Sequence, residues 1–91
     1  MKKIGYKVSG GKLLRLQIDI EENIIINIKI NGDFFVYPEE SISEIEKFLI
    51  GKNVFEIDGL LQDFLNRKKI EIIGFLPKDL KQALSVYNEI T

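Results

Sequence analysis

With 91 residues the chain has room for one hydrophobic core and little beyond it. Its 13 Lys and Arg are matched by 14 Asp and Glu, so no global charge argues for a nucleic-acid or membrane partner, and any electrostatic role is local. There is no Cys and no His, which excludes disulfides, thiol nucleophiles, the usual zinc and iron–sulfur ligand sets and imidazole acid–base chemistry.

Met1-Lys2-Lys3 leads into a strand-like segment and not into a long apolar run, so neither a signal peptide nor a membrane span is predicted and a soluble, cytoplasmic chain is expected. Period-two alternation follows. Ile4, Tyr6 and Val8 alternate with Lys3, Gly5 and Lys7; Leu14, Leu16, Ile18 and Ile20 alternate with Arg15, Gln17, Asp19 and Glu21. In a third run Ile24, Ile26, Ile28 and Ile30 share one parity, with Asn27, Lys29 and Asn31 on the other. Three half-buried strands are predicted at about 3–9, 12–21 and 24–31, paired as an antiparallel meander. A shared apolar face requires even residues to oppose even residues, hence loops of odd length. Loops Gly10-Gly11-Lys12 and Glu21-Glu22-Asn23 meet that requirement, pairing Val8 with Leu14 and Ile20 with Ile24. The same register sets Lys7 opposite Arg15 and Arg15 opposite Lys29, a cationic row on the outer face, with Lys12 and the Gly32-Asp33 turn at the same end of the sheet. Such a row is either a solvated face with Asp33, Glu39 and Glu40 as counter-ions, or a surface that meets an anion, whether a phosphate group or an acidic protein.

Residues 32–40 form the hinge between sheet and helix. Gly32 suits a sharp strand end and Pro38 a first helical position, which places Glu39 and Glu40 in the first turn of a helix. Phe34, Phe35 and Tyr37 put three rings into a short connection, more apolar area than a turn needs, so they seal the junction or face a partner. Helical periodicity then takes over. A helix at about 38–50 carries the stripe Ile42, Ile45, Phe48 and Leu49 and ends at Gly51. A second, at about 58–68, is capped by Asp58 and carries Leu60, Leu61, Phe64 and Leu65, with Arg67, Lys68 and Lys69 at its negative end. Ile70, Ile72 and Ile73 fit a short strand or an apolar connector, and length favours the connector. Pro77 opens a third helix, about 77–90, with Leu80, Ala83, Leu84, Tyr87 and Ile90 on one face. The expected architecture is a single domain over 1–91, α+β in two layers, with the three helices packed on one face of the three-stranded sheet.

For catalysis the chain offers Ser9, Ser41, Ser43, Ser85, Thr91, lysines and tyrosines, with no imidazole to activate them and no acid–base pair specified by spacing. Gly10-Gly11-Lys12 lacks the P-loop spacing and its Ser or Thr, and it joins two antiparallel strands, so no helix N-terminus backs it. The residues alone therefore point to a small interaction or accessory domain.

The run Lys7-Val8-Ser9-Gly10-Gly11-Lys12-Leu13, an alternating hairpin, and then Gly32-Asp33-Phe34-Phe35 with Tyr37-Pro38-Glu39-Glu40 resemble the small-subunit or C-terminal accessory domain of lipoate-protein ligases. The first two blocks carry the resemblance; the helices after Gly51 match in pattern, and Ser9 stands where the family more often has proline. The resemblance implies an accessory subunit with no independent catalysis, required with a large catalytic subunit for ATP-dependent activation of lipoate to lipoyl-adenylate. It further implies a heterodimer in which lipoate, ATP and Mg belong to the partner, this chain binds no cofactor, and lipoyl-domain acceptor proteins are met indirectly. The Met1 start fits the form in which the accessory part is a separate chain. Partner or active-site-edge contacts are expected at Lys7, Gly10, Gly11, Lys12, Arg15, Lys29, Asp33, Phe34, Phe35 and Tyr37. Two other classes share these features: the two-layer arrangement resembles iron–sulfur scaffold proteins, which work through the cysteine this chain lacks, and the cationic row suits a protein- or nucleic-acid-binding module.

Overall fold

The computed structural model describes residues 2–8 and 10–90, and the side chains of all of these except 87–90. Ser9, Thr91 and the side chains of Tyr87 and Ile90, singled out above, lie outside the described residues. In chain order the elements are β1 Lys2–Lys7, β2 Leu13–Glu21, β3 Ile24–Gly32, β4 Phe35–Tyr37, α1 Ser41–Leu49, α2 Ile57–Lys68, β5 Glu71–Ile73 and α3 Pro77–Ile90. β1, β2 and β3 form the expected antiparallel sheet in that order, and the helices cover its even-numbered face. Leu14, Leu16, Ile18 and Ile25 from the sheet pack with Ile45, Leu49, Ile57, Leu61, Leu80 and Leu84 from the helices, all of them essentially excluded from solvent. The predicted α+β, two-layer class holds.

The parity rule holds too, but the registers differ from those expected. Val8 N–H donates to Lys12 O at 2.9 Å and Gly11 N–H to Val8 O at 3.0 Å, so Val8 pairs with Lys12 and the expected 10–12 loop does not form. Tyr6 therefore faces Leu14, Lys7 faces Leu13 and Gly5 faces Arg15; Val8 does not face Leu14. Gly10 and Gly11, at φ 97° and 82°, take the left-handed turn conformations and release Lys12 to the ladder.

The second loop has two residues, not three. Glu22 and Asn23 both adopt positive φ, 49° and 67°, the type I′ geometry whose twist matches the flanking strands. Such a turn opposes Ile20 to Ile25, which breaks even-to-even pairing, and a bulge repairs it. Ile26 is the extra residue: beyond it Asp19 faces Asn27 and Ile18 faces Ile28. Ile25 is consequently buried in the core, and Ile26, expected inside, is 39% exposed.

β4 and β5 pair antiparallel into a separate two-stranded ribbon, so the 70–73 run contributes a strand and not the connector that length favoured. Because 35–37 are committed to this ribbon, the chain must turn before entering a helix. Pro38 follows a cis peptide bond and does not open α1; Ser41 N–H donates to Pro38 O at 3.0 Å, and Glu39 and Glu40 precede the helix, whose first-turn acid is Glu44.

Along α1, Ile45 and Leu49 are buried, and Phe48 stacks on Phe64 of α2 with centroids 4.2 Å apart. Gly51 takes the expected left-handed conformation, φ 87°, and its N–H donates to Ile25 O at 2.7 Å. α2 begins with the buried Ile57. Asp58 is a first-turn residue 3.6 Å from Lys81 Nζ and not the cap, and Leu60 faces outward at 38% exposure. α3 opens at Pro77 as predicted, with Asp79 Oδ2 accepting Leu76 N–H at 2.8 Å.

Gly32 has φ 140°, and a Cβ built there would drive into the Leu13 carbonyl oxygen. Gly5 differs: its Cβ would meet only Leu13 Cδ1, at 3.7 Å. Gly32→Ala is expected to lower unfolding stability by on the order of 2–3 kcal/mol, whereas Gly5→Ala shifts it by less than about 0.5 kcal/mol. Urea titration followed by circular dichroism measures both.

Candidate functional site

The Gly32-Asp33 turn, the glycine loop and the β4–β5 ribbon meet at one end of the sheet. Asp33 N–H donates to Leu13 O at 2.9 Å, which carries β3 one step past Gly32 and delivers Phe34 against Phe75, ring centroids 5.0 Å apart and perpendicular. Gly74, φ 125°, lies flat on Phe34; a Cβ there would sit 2.8 Å from that of Phe34. Val8, Lys12 and Asp33 close on Phe34, Gly74 and Phe75 along a seam too narrow for water. Phe34 is thus half-buried packing that anchors the ribbon to the sheet, and Lys12 and Asp33, as expected, share this end.

The ribbon has two faces. Val36 is buried and Ile72 half-buried against the core. Strand periodicity then leaves Phe35, Tyr37 and Ile73 outward, 66%, 48% and 49% exposed. Phe35 stands directly opposite Ile73, and Tyr37 opposite Glu71. Two aromatic rings and an isoleucine on a small rigid ribbon form the kind of amphipathic patch that a partner covers. A shallow groove of about 280 Å³ runs along it, lined by Asn31, Phe34, Phe35, Tyr37, Glu39 and Ile42. The sequence does not single out Ile73 as a contact, because length favours a connector at 70–73; the alternative of a short strand there is the signal that leads to it.

Lys7, Arg15 and Lys29 are exposed on the outer face of the sheet but do not form the expected row. The shifted registers place Arg15 between Gly5 and Asn31, Lys29 opposite Gln17, and Lys7 opposite Leu13. Lys3, on the far side of Gln17, joins the set. Each cation faces a neutral residue and sees other cations only on diagonals, which relieves the repulsion that direct opposition imposes. None of Lys3, Lys7, Arg15 and Lys29, and none of the expected counter-ions Asp33, Glu39 and Glu40, is ion-paired to a described residue. The missing side chain of Gly5 leaves a groove of about 330 Å³ beside Lys3, Arg15, Gln17 and Asn31. Gly10 and Gly11 in the first turn, and Lys12 beside them on the ladder, are exposed, with nothing packed over the glycines.

No catalytic arrangement assembles among the described residues. Ser85 Oγ donates to Lys81 O at 2.9 Å and Ser41 is buried at the start of α1. No group of three or more Asp and Glu among the described residues is placed to hold a metal ion, and no helix among them is long and apolar enough to cross a membrane.

The family described as bacterial lipoate protein ligase C-terminus matches residues 6–84. Lipoate-protein ligase A subunit 2 of Thermoplasma acidophilum is 40% identical over 74 residues, 81% of this chain and 78% of that protein. A chain from the structural analysis of an archaeal lipoylation system, a bi-partite lipoate protein ligase and its E2 lipoyl domain from Thermoplasma acidophilum, superposes with a TM-score of 0.70 at 34% identity, covering 91% of this chain and 97% of that one. The match runs from β1 into α3 and takes in both the glycine loop and the 32–40 hinge, and the chain belongs to the lipoate-protein ligase C-terminus family.

Proposed function

We propose that this chain is the accessory subunit of a two-chain lipoate-protein ligase, docking on a large catalytic subunit in a cytoplasmic heterodimer and supporting the ATP-dependent conversion of lipoate to lipoyl-adenylate. The observation that carries the reading is the outward Phe35–Tyr37–Ile73 patch on a chain similar to a ligase subunit and with no catalytic arrangement assembled among its described residues. Adenylation brings an anionic carboxylate up to a polyanionic nucleotide. Such a step is accelerated by fixed geometry and fixed positive charge rather than by a nucleophile from this chain. Lipoate, ATP and Mg belong to the partner in this scheme, and lipoyl-domain acceptors meet that partner.

The role assigned to this chain is to hold a segment of the catalytic subunit in its adenylation-competent state. Phe35, Tyr37 and Ile73 supply the buried centre of the contact. Lys12 and Asp33, with Gly10 and Gly11 shaping the loop, stand at its edge. Lys7, Arg15 and Lys29 act on the encounter rate, as exposed rim charges do. Phe34 contributes by fixing the ribbon, not by touching the partner.

Omitting this chain is expected to slow lipoate-dependent pyrophosphate release by the catalytic subunit at least about tenfold, a barrier change of about 1.4 kcal/mol, while transfer from preformed lipoyl-adenylate keeps its rate. Stimulation of transfer without stimulation of adenylation contradicts the assignment. A Phe35→Ser, Ile73→Ser double variant loses exposed side chains only, so its melting temperature should hold while its Kd for the catalytic subunit rises on the order of 10- to 100-fold by calorimetry. Lys7→Ser, Arg15→Ser and Lys29→Ser together should lower the association rate and flatten its dependence on salt in a stopped-flow titration.

A further inference from the structure

The two edges of the main sheet are treated differently. Along the outer edge of β3, Ile30 N–H donates to Glu46 Oε2 at 2.8 Å, Ile25 N–H to Lys52 O at 3.0 Å and Gly51 N–H to Ile25 O at 2.7 Å. Beyond β1 no strand lies among the described residues. The ladder identifies which groups β1 leaves open. Val8 and Lys12 are a hydrogen-bonded pair, so in an antiparallel ladder Tyr6 and Ile4 also aim N–H and C=O at β2, and Lys3, Gly5 and Lys7 aim theirs away from the sheet. Three outward donor–acceptor sets in succession form the template that an added strand uses.

The side chains decide which strand fits. A second copy pairing antiparallel about Gly5 would set Lys3 of each chain against Lys7 of the other, like charges directly opposed at both ends of the contact. A strand with carboxylates at those two positions gains two cross-strand ion pairs instead. On the inner face Ile4 and Tyr6 are only half-buried, so apolar residues between the carboxylates complete their burial. At the centre, the groove left by Gly5 accepts a bulky side chain over Arg15 and Gln17. β1 also runs into the end of the sheet where Val8 and Lys12 meet Phe34 and Phe75, so its edge is continuous with the docking end described above.

We infer that the β1 edge receives an extended segment of the catalytic ligase subunit, with carboxylates against Lys3 and Lys7 and apolar residues against Ile4 and Tyr6, as a fourth strand of the sheet. The inference rests on reading this chain as that subunit's accessory partner. Strand addition fixes the partner segment through backbone hydrogen bonds, which suits the ordering role proposed for this chain.

Amide hydrogen exchange on the full chain, alone and mixed with the large ligase subunit of the same organism, tests it. The amides of Lys3, Gly5 and Lys7 should exchange fast in the free chain and slow at least tenfold in the complex. Gly5→Pro removes one outward N–H without touching the β1–β2 ladder, so the variant should keep its melting temperature and lose at least about tenfold in affinity, about 1.4 kcal/mol. A complex that forms while those three amides exchange as in the free chain overturns the strand addition and leaves the accessory-subunit reading standing. Wild-type affinity in a folded Gly5→Pro variant overturns it equally. No complex at all removes both readings, and protection that grows with concentration in the chain alone assigns the edge to a second copy and overturns the inference.

Discussion

Everything after β3 depends on one close approach, the backbone of Gly32 passing over the carbonyl of Leu13. A residue without Cβ suits that place, because a Cβ would clash with the Leu13 oxygen that accepts Asp33 N–H. Through that contact β3 extends by one more ladder bond before the chain swings out of the sheet. Phe34 is thereby aimed at Phe75, and Gly74, just past β5, makes the mirror concession by letting its backbone lie on Phe34. The ribbon hangs from these two glycines and two rings. Its inward residues, Val36 and Ile72, continue the core, and its outward ones are the patch.

The same economy governs the main sheet. The tight turn at Glu22 and Asn23 suits the twist of its strands but shifts the register by one, which would invert every side chain of β3. Ile26 absorbs the error as a bulge on the solvent side, leaving Ile25, Ile28 and Ile30 in the core. Glu46 spends its carboxylate on the backbone of Ile30, and the segment after α1 spends its own backbone on Ile25, so the β3 edge is closed from within.

The layers, the sheet order, the apolar face and all three helices were legible because period-two and helical patterns survive errors of a residue or two. The registers were not. Parity alone allows any odd loop, and pairing Val8 with Lys12 rather than with Leu14 depends on Gly10 and Gly11 tolerating positive φ, while the 22–23 turn plus bulge satisfies parity by two compensating violations that no single pattern shows. The ribbon escaped for a different reason: strands of three residues carry too little periodicity to count, and each was masked by a stronger signal, β4 by the Pro38 breaker and β5 by the helix before it. Of the candidate site, the aromatic excess in 32–40 was the clue that the sequence offered. Its division into Phe34 inside and Phe35 and Tyr37 outside required the pairing partner, and so did Ile73.

The ribbon draws its two strands from opposite halves of the chain, with α1 and α2 between them. Closing so long a loop is entropically slow compared with zipping the adjacent hairpins of the meander, so Phe35 and Ile73 come together late in folding. The patch is therefore a surface that requires both ends of this long loop to be in place. Under the docking proposed above, assembly through it would double as proofreading: a partner that recognises both side chains at once would admit only chains that have finished folding.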